Sequence, residues 1–183
     1  MKISHLVPAY SQRIHIKDRK WQNRSCGIVS LAMVLNSLGG NTTLGKLLNI
    51  GQNLKFTYKD KSYSAYSKKG GWNHWGLVRL AEKQGFEGVV YDWNVDNDVC
   101  KKISKAEAFK KTIQHLRRFP LLASVHNSFD KARGGHLIVL IGADGDKLLF
   151  NDPDAKTTGE VKKEVAVNKF LNGWKKRIII LKA

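Results

Sequence analysis

Only two cysteines, Cys26 and Cys100, stand among the 183 residues. Two thiols exclude the disulfide framework that small secreted scaffolds build from four or more. Proline is nearly as scarce, at three, and no low-complexity linker or internal repeat is visible. Long apolar runs are missing as well. Segments such as Leu137–Ile141 and Ile178–Leu181 are strand-sized, against the roughly 20 residues that span a bilayer. The start, Met1-Lys2-Ile3-Ser4-His5-Leu6, has no apolar stretch of about 7–15 residues behind its charge, so no secretory signal is read and the cytoplasm is the default expectation. Negative charge is scarcest of all: 15 Asp+Glu face 32 Lys+Arg, a net +17.

What is present describes one globular unit. Hydrophobic residues make up 42%, enough to fill a core at this length, so residues 1–183 are expected to form a single domain. The positive charge is uneven. Residues 1–86 carry 14 basic and 3 acidic side chains, or +11, and residues 87–183 carry 18 and 12, or +6. Such an excess attracts nucleic acid, anionic surfaces or acidic peptides. Yet 24 of the basic residues are lysine, whereas nucleic-acid readers favour arginine forks on a recognisable module. A solvated lysine surface is the favoured reading, and a nucleic-acid or anionic-surface partner the less favoured one.

The periodicities predict helices first and strands after. Cys26–Leu38 is apolar almost all round and stops at Gly39-Gly40, which makes it a buried helix. Shorter helices follow at Thr43–Asn49 and, capped by Asn73, at His74–Gln84. Gly51–Gly71 reads as an unpatterned polar loop, its tyrosines either packing its underside or lining a cleft. Glu87–Trp93 is a strand. Ser104-Lys105-Ala106-Glu107 is a capping box that opens a helix to about Arg118. Then come strands at Leu121–His126, His136–Gly142, Lys147–Asp152 and Arg177–Lys182, with Asp144-Gly145 as a hairpin turn and a short helix at Val167–Trp174. The expected class is α+β, a helical N-terminal lobe and a C-terminal antiparallel sheet.

The chemistry starts at Cys26, the first residue of the most buried helix. Unpaired backbone N–H groups and the positive end of the helix dipole favour thiolate there, and Gly27 would leave room for a substrate carbonyl. Cys100 lies in a polar stretch and reads as structural. A nucleophilic thiol needs a base and the base an orienting group. His136 opens an apolar strand after Gly134-Gly135, and antiparallel pairing about the Asp144-Gly145 turn brings it towards Asn151 and Asp152. An aspartate there would hold the imidazole through Nδ1–H. Strand alternation lets only one of the two neighbours face it.

These segments together, Ser25-Cys26-Gly27-Ile28-Val29-Ser30-Leu31-Ala32-Met33-Val34-Leu35, Gly135-His136-Leu137-Ile138-Val139-Leu140 and Asn151-Asp152-Pro153, resemble the double-glycine-leader, bacteriocin-processing cysteine peptidases. The likeness is to their stand-alone relatives rather than to domains fused to export transporters, the branch that holds double-glycine specificity. It implies a papain-like two-lobe fold, peptide or protein substrates, and a triad with Cys26 as nucleophile, His136 as base and acid, and Asp152 as orienter. Val7-Pro8-Ala9-Tyr10-Ser11-Gln12 is similar to the family segment that carries an oxyanion glutamine, which points to Gln12, with Gln22 the alternative nearer to the cysteine. His74 and Trp75, at a helix start beside the implied cleft, are substrate-contact candidates, as is Gln22. No cofactor or metal is expected, since no ligand set has metal spacing and no phosphate loop is present. Two other functions stay open: thiol amidase or acyltransferase chemistry on the same fold, and a basic binding module with an inactive triad. In the peptidase reading the positive N-terminal half would favour acidic substrates.

Overall fold

The computed structural model describes residues 2–183. The chain opens with strand β1 (Lys2–Ser4) and a single turn α1 (Gln12–His15), then α2 (Cys26–Ser37) and α3 (Leu44–Gly51). Two small hairpins follow, β2 with β3 (Lys55–Tyr58, Lys61–Ser64) and β4 with β5 (Tyr66–Ser67, Gly71–Trp72), before α4 (His74–Glu82). The second half holds β6 (Glu87–Asp92), α5 (Lys105–Leu116), β7 (Leu121–His126), β8 (Gly135–Asp144), β9 (Lys147–Asn151), β10 (Lys162–Ala166), α6 (Val167–Gly173) and β11 (Trp174–Lys182).

One antiparallel sheet organises these elements, in the order β10-β9-β8-β7-β11-β6, with β1 paired to the end of β8. Its apolar strands are buried on both faces because side chains alternate along them. Leu137, Val139 and Ile141 of β8 and Ile179 and Leu181 of β11 pack towards α2 and α4. Ile138, Leu140, Ile178 and Ile180 turn the other way, onto Leu116, Phe170 and Trp174. α2 explains its own composition: Gly27 through Leu35 are all buried, and the helix ends at Gly39 in a left-handed conformation, φ 92. Ser30 Oγ donates to the Leu137 carbonyl at 3.2 Å, which ties the first turns of α2 to the start of β8.

The architecture is the expected mixture of helices and antiparallel sheet, with two corrections. The helices do not all precede the sheet, since α5 and α6 cover its second face and β1 enters it from the N-terminus. Gly51–Gly71 is not a loop but carries both small hairpins. Its first turn, Lys59-Asp60, adopts φ 47 and φ 60, a primed turn made without glycine. The tyrosines divide their work there. Tyr63 stacks on Phe56 with centroids 5.7 Å apart, Tyr58 stacks on Trp75 at 5.1 Å, and Tyr66 meets Trp72 at 5.0 Å.

Candidate active site

Cys26 occupies the first helical position of α2, behind the N-cap Ser25. The Ser25 hydroxyl does not cap the helix; it donates to the Trp21 carbonyl at 2.8 Å. The N-cap side chain thus satisfies none of the first-turn N–H groups, and one of them, that of Gly27, faces the Cys26 sulfur. His136 is the second residue of β8, paired with Val125 and only 8% exposed. Its Nε2 lies 2.8 Å from Asp152 Oδ1. Asp152 follows the last residue of β9 and precedes Pro153. The orientation differs from the Nδ1 contact expected from sequence: Asp152 holds Nε2, and Nδ1 is the nitrogen left to face Cys26.

Asn151 faces away. Its Nδ2 donates to the Pro8 carbonyl at 3.0 Å in the buried interior. Asp152 is in turn well held. Oδ1 also accepts the Asp154 N–H at 2.9 Å, and Oδ2 accepts Lys163 Nζ of β10 at 2.7 Å. Asp154 is clamped by Gln12 Nε2 at 2.6 Å and by Arg13. A chain of contacts thus runs from α1 through Asp154 and Asp152 to His136 and Cys26.

The electrostatics follow from these contacts. Burial pushes the Cys26 thiol up, but hydrogen bonding and charge from His136, with the N–H groups of Leu137 and Gly27, outweigh it and leave the thiol below its ordinary value. Burial would push His136 down; the hydrogen bonds and charges of Asp152 and Cys26 instead raise it well above the usual imidazole range. Burial also works against ionised Asp152, yet His136, Lys163 and the Asp154 N–H hold its carboxyl far below the usual range. These contacts shift all three groups towards their charged forms.

Cys26 and His136 open onto a cavity of about 360 Å³. Its wall includes Asn23, Arg24, Tyr66, Lys68, Lys69 and Trp72, together with Ser124, Lys175 and Arg177. Sequence reasoning missed Ser124, Lys175 and Arg177, which β7 and β11 deliver from far along the chain. Of the substrate-contact candidates, His74 lines the cavity. Burial and the charge of Arg177 push its imidazole down to about 4, so it is neutral near pH 7. Trp75 lies instead in a neighbouring depression, against Tyr58. Gln22 does not line the cavity and spends its amide on the Ile16 carbonyl at 2.9 Å. Gln12 is buried, its Nε2 donates to Asp154, and it does not line this cavity.

Gly27 serves a purpose other than the expected one. A Cβ there would stand 2.8 Å from Cβ and Cγ of Trp72, so the missing side chain admits the indole, not a substrate. Trp72 Nε1 donates to the Arg24 carbonyl at 2.6 Å and fixes the approach to the helix. Gly27→Ala is expected to cost about 1–3 kcal/mol through overpacking, read as a lowered melting temperature. An unchanged melting temperature would show that Trp72 yields without cost.

Among the described residues no group of three His, Cys, Asp or Glu side chains could hold a metal ion, and no helix is long and apolar enough to cross a membrane.

A family model described as Peptidase_C39 like matches residues 5–178. No curated protein matches the sequence. Among solved structures, a protein of Bacillus anthracis described as C39-like superposes with a TM-score of 0.65 at 19% identity, over 98% of this chain and 96% of that one. The peptidase domain of Streptococcus ComA, a bi-functional ABC transporter of a quorum-sensing pathway, gives 0.61 at 21% identity over 87% and 92%. A double-glycine-motif protease from an AMS/PCAT transporter, solved with its leader peptide, gives 0.61 at 19% over 98% and 93%.

Proposed function

The chain belongs to the Peptidase_C39-like family and is a cysteine-type peptidase, and from that premise we propose that it cleaves peptide bonds with Cys26 as nucleophile, His136 as acid and base, and Asp152 as orienter. The observation that carries this is the juxtaposition of the three groups: Asp152 holds His136 Nε2 at 2.8 Å, and His136 and Cys26 line one cavity.

The Cys26 thiolate attacks the carbonyl carbon of the scissile bond. The carbonyl π electrons move to oxygen, and the Cys26 N–H at the start of α2 stabilises that oxyanion. Collapse of the intermediate expels the amine, which takes the Nδ1 proton of His136, and a thioester remains on Cys26. Neutral His136 then removes a proton from water as it attacks the thioester. The carboxylic product leaves, and the thiolate–imidazolium pair is restored. Asp152 stays ionised throughout, stabilising the imidazolium and fixing which nitrogen faces sulfur. Gln12 supports this from behind by holding Asp154, whose N–H holds Asp152.

Incubation with a mixed peptide library and a peptide aldehyde tests the reading. Cleaved peptides, together with a mass shift on Cys26 alone that blocks their formation, are expected. Persistent cleavage by aldehyde-treated protein in which Cys26 is fully modified would contradict it.

A further inference from the structure

β11 is irregular where it passes the site. Trp174 pairs with Val125 and Arg177 with the adjacent Ser124 of β7, so Lys175 and Lys176 are extra residues in the strand. Lys176 absorbs the irregularity at φ 53, a left-handed conformation that a non-glycine residue keeps only when its surroundings enforce it. They do. Lys176 Nζ donates to the carbonyls of Trp93 and Ile103 at 3.0 and 2.9 Å, and its own carbonyl accepts the Trp93 N–H at 3.1 Å. Asn94 Nδ2 donates to the Lys175 carbonyl at 2.8 Å. Bulges re-aim side chains beside active sites, and this one turns Lys175 into the Cys26 cavity.

The Lys175 ammonium comes to rest over Gly135, where a Cβ would be 3.0 Å from Nζ. Gly135 immediately precedes His136. Among the described residues Lys175 has no ion-pair partner, whereas its neighbour Arg177 is matched by Asp92 at 2.7 Å. No carboxylate lines the cavity, and Arg24, Lys68 and Lys69 share its wall. His74, on the same wall, has a buried Nε2 without a hydrogen-bond partner. Burial and the charge of Arg177 push the Lys175 ammonium down, a cost that an incoming anion removes.

We infer that Lys175, delivered by the β11 bulge, is the anchor of a subsite for a substrate carboxylate next to the scissile bond, so that peptides presenting a carboxylate there are the substrate class. The position beside a scissile bond rests on the peptidase reading, but the carboxylate site stands on its own geometry. Lys175 carries the selectivity because it is half-buried, where a charge contact is less screened, whereas Arg24, Lys68 and Lys69 on the same wall are exposed and add steering more than affinity. A peptide supplies the carboxylate from Asp or Glu side chains or from its own C-terminus.

Binding to full-length Cys26→Ala protein reads the subsite without turnover. Three fluorescent, N-acetylated peptide pools serve as probes: one Glu at scanned positions with an amidated end, its Gln counterpart, and the Gln pool with a free C-terminus. A carboxylate pool should bind about tenfold tighter than the amidated Gln pool. Adding Lys175→Gln should remove that advantage and leave the amidated Gln pool unchanged, while Lys175→Arg keeps it. Preference for Glu assigns the site to an acidic side chain; preference for the free C-terminus alone assigns it to the chain end. Equal binding of all pools, or an equal loss for charged and neutral pools in Lys175→Gln, overturns the inference. Turnover of all three pools by unmutated protein is scored separately. No turnover of any pool with carboxylate binding intact defeats the hydrolysis reading alone, and turnover without carboxylate preference in binding defeats the subsite alone.

Discussion

Replacing Cys26 with alanine or serine abolishes peptide hydrolysis, lowering kcat by at least about a thousandfold, and leaves the melting temperature essentially unchanged. Alanine removes the nucleophile. Serine keeps the shape, but its hydroxyl does not ionise beside an imidazolium as a thiol does. Cys100→Ser leaves turnover intact. The Cys100 Sγ lies away from the cavity, donating to the Asp92 carbonyl at 3.3 Å. The check is steady-state turnover of any peptide found to be cleaved, with circular dichroism melts of each variant. Equal losses from the two cysteine changes would place the nucleophile elsewhere.

Asp152→Asn has the second largest effect, a fall in kcat of about 10- to 100-fold, with a change in the pH profile that a purely structural lesion would not give. In the proposed mechanism the carboxylate favours the imidazolium, which protonates the leaving amine. With an amide in its place, the His136 proton is lost at lower pH, so the alkaline limb of kcat/KM moves down. Stability changes in a defined window. His136, raised to about 10 in the fold from 6.5, contributes stability fully below about pH 6.5 and loses it as pH rises through about 10. Asp152, lowered from 3.8, contributes above that value and loses its contribution as pH falls through the folded value. Both contributions are complete between about pH 4 and 6.5, so the melting deficit of Asp152→Asn is greatest there and shrinks at alkaline pH. A deficit independent of pH would mean that the variant merely loosens the end of β9.

Much of the fold was legible from sequence because the relevant signals are local. The apolar run ending at Gly39-Gly40 marks α2, and the Asp144-Gly145 signal marks the β8–β9 hairpin, although the turn itself is Gly145-Asp146, with Asp144 paired to Lys147. The remainder depended on contacts that spacing does not encode. β10, with Lys162, Lys163 and Glu164 exposed, has no apolar pattern, because an edge strand keeps its charges in solvent. The β2–β3 turn uses Lys59-Asp60 in place of the glycine that signals a primed turn. Gln12 is tied to Asp154, a partner 142 residues further along the chain. Trp72 fills the space beside Gly27 that spacing alone leaves free for substrate. Lys175 is one of 24 lysines, and only the bulge in β11 sets it apart.

The central claim is a Cys26 thiolate held by His136, and the pH dependence of iodoacetamide alkylation, followed residue by residue by mass spectrometry, tests it most directly. Cys26 should already react faster than Cys100 at about pH 6, with a midpoint below the ordinary thiol value of 9.0. His136→Ala should move that midpoint up, because burial then acts on the thiol without the imidazolium to oppose it. A Cys26 midpoint at or above 9.0, unmoved by His136→Ala, would contradict the account.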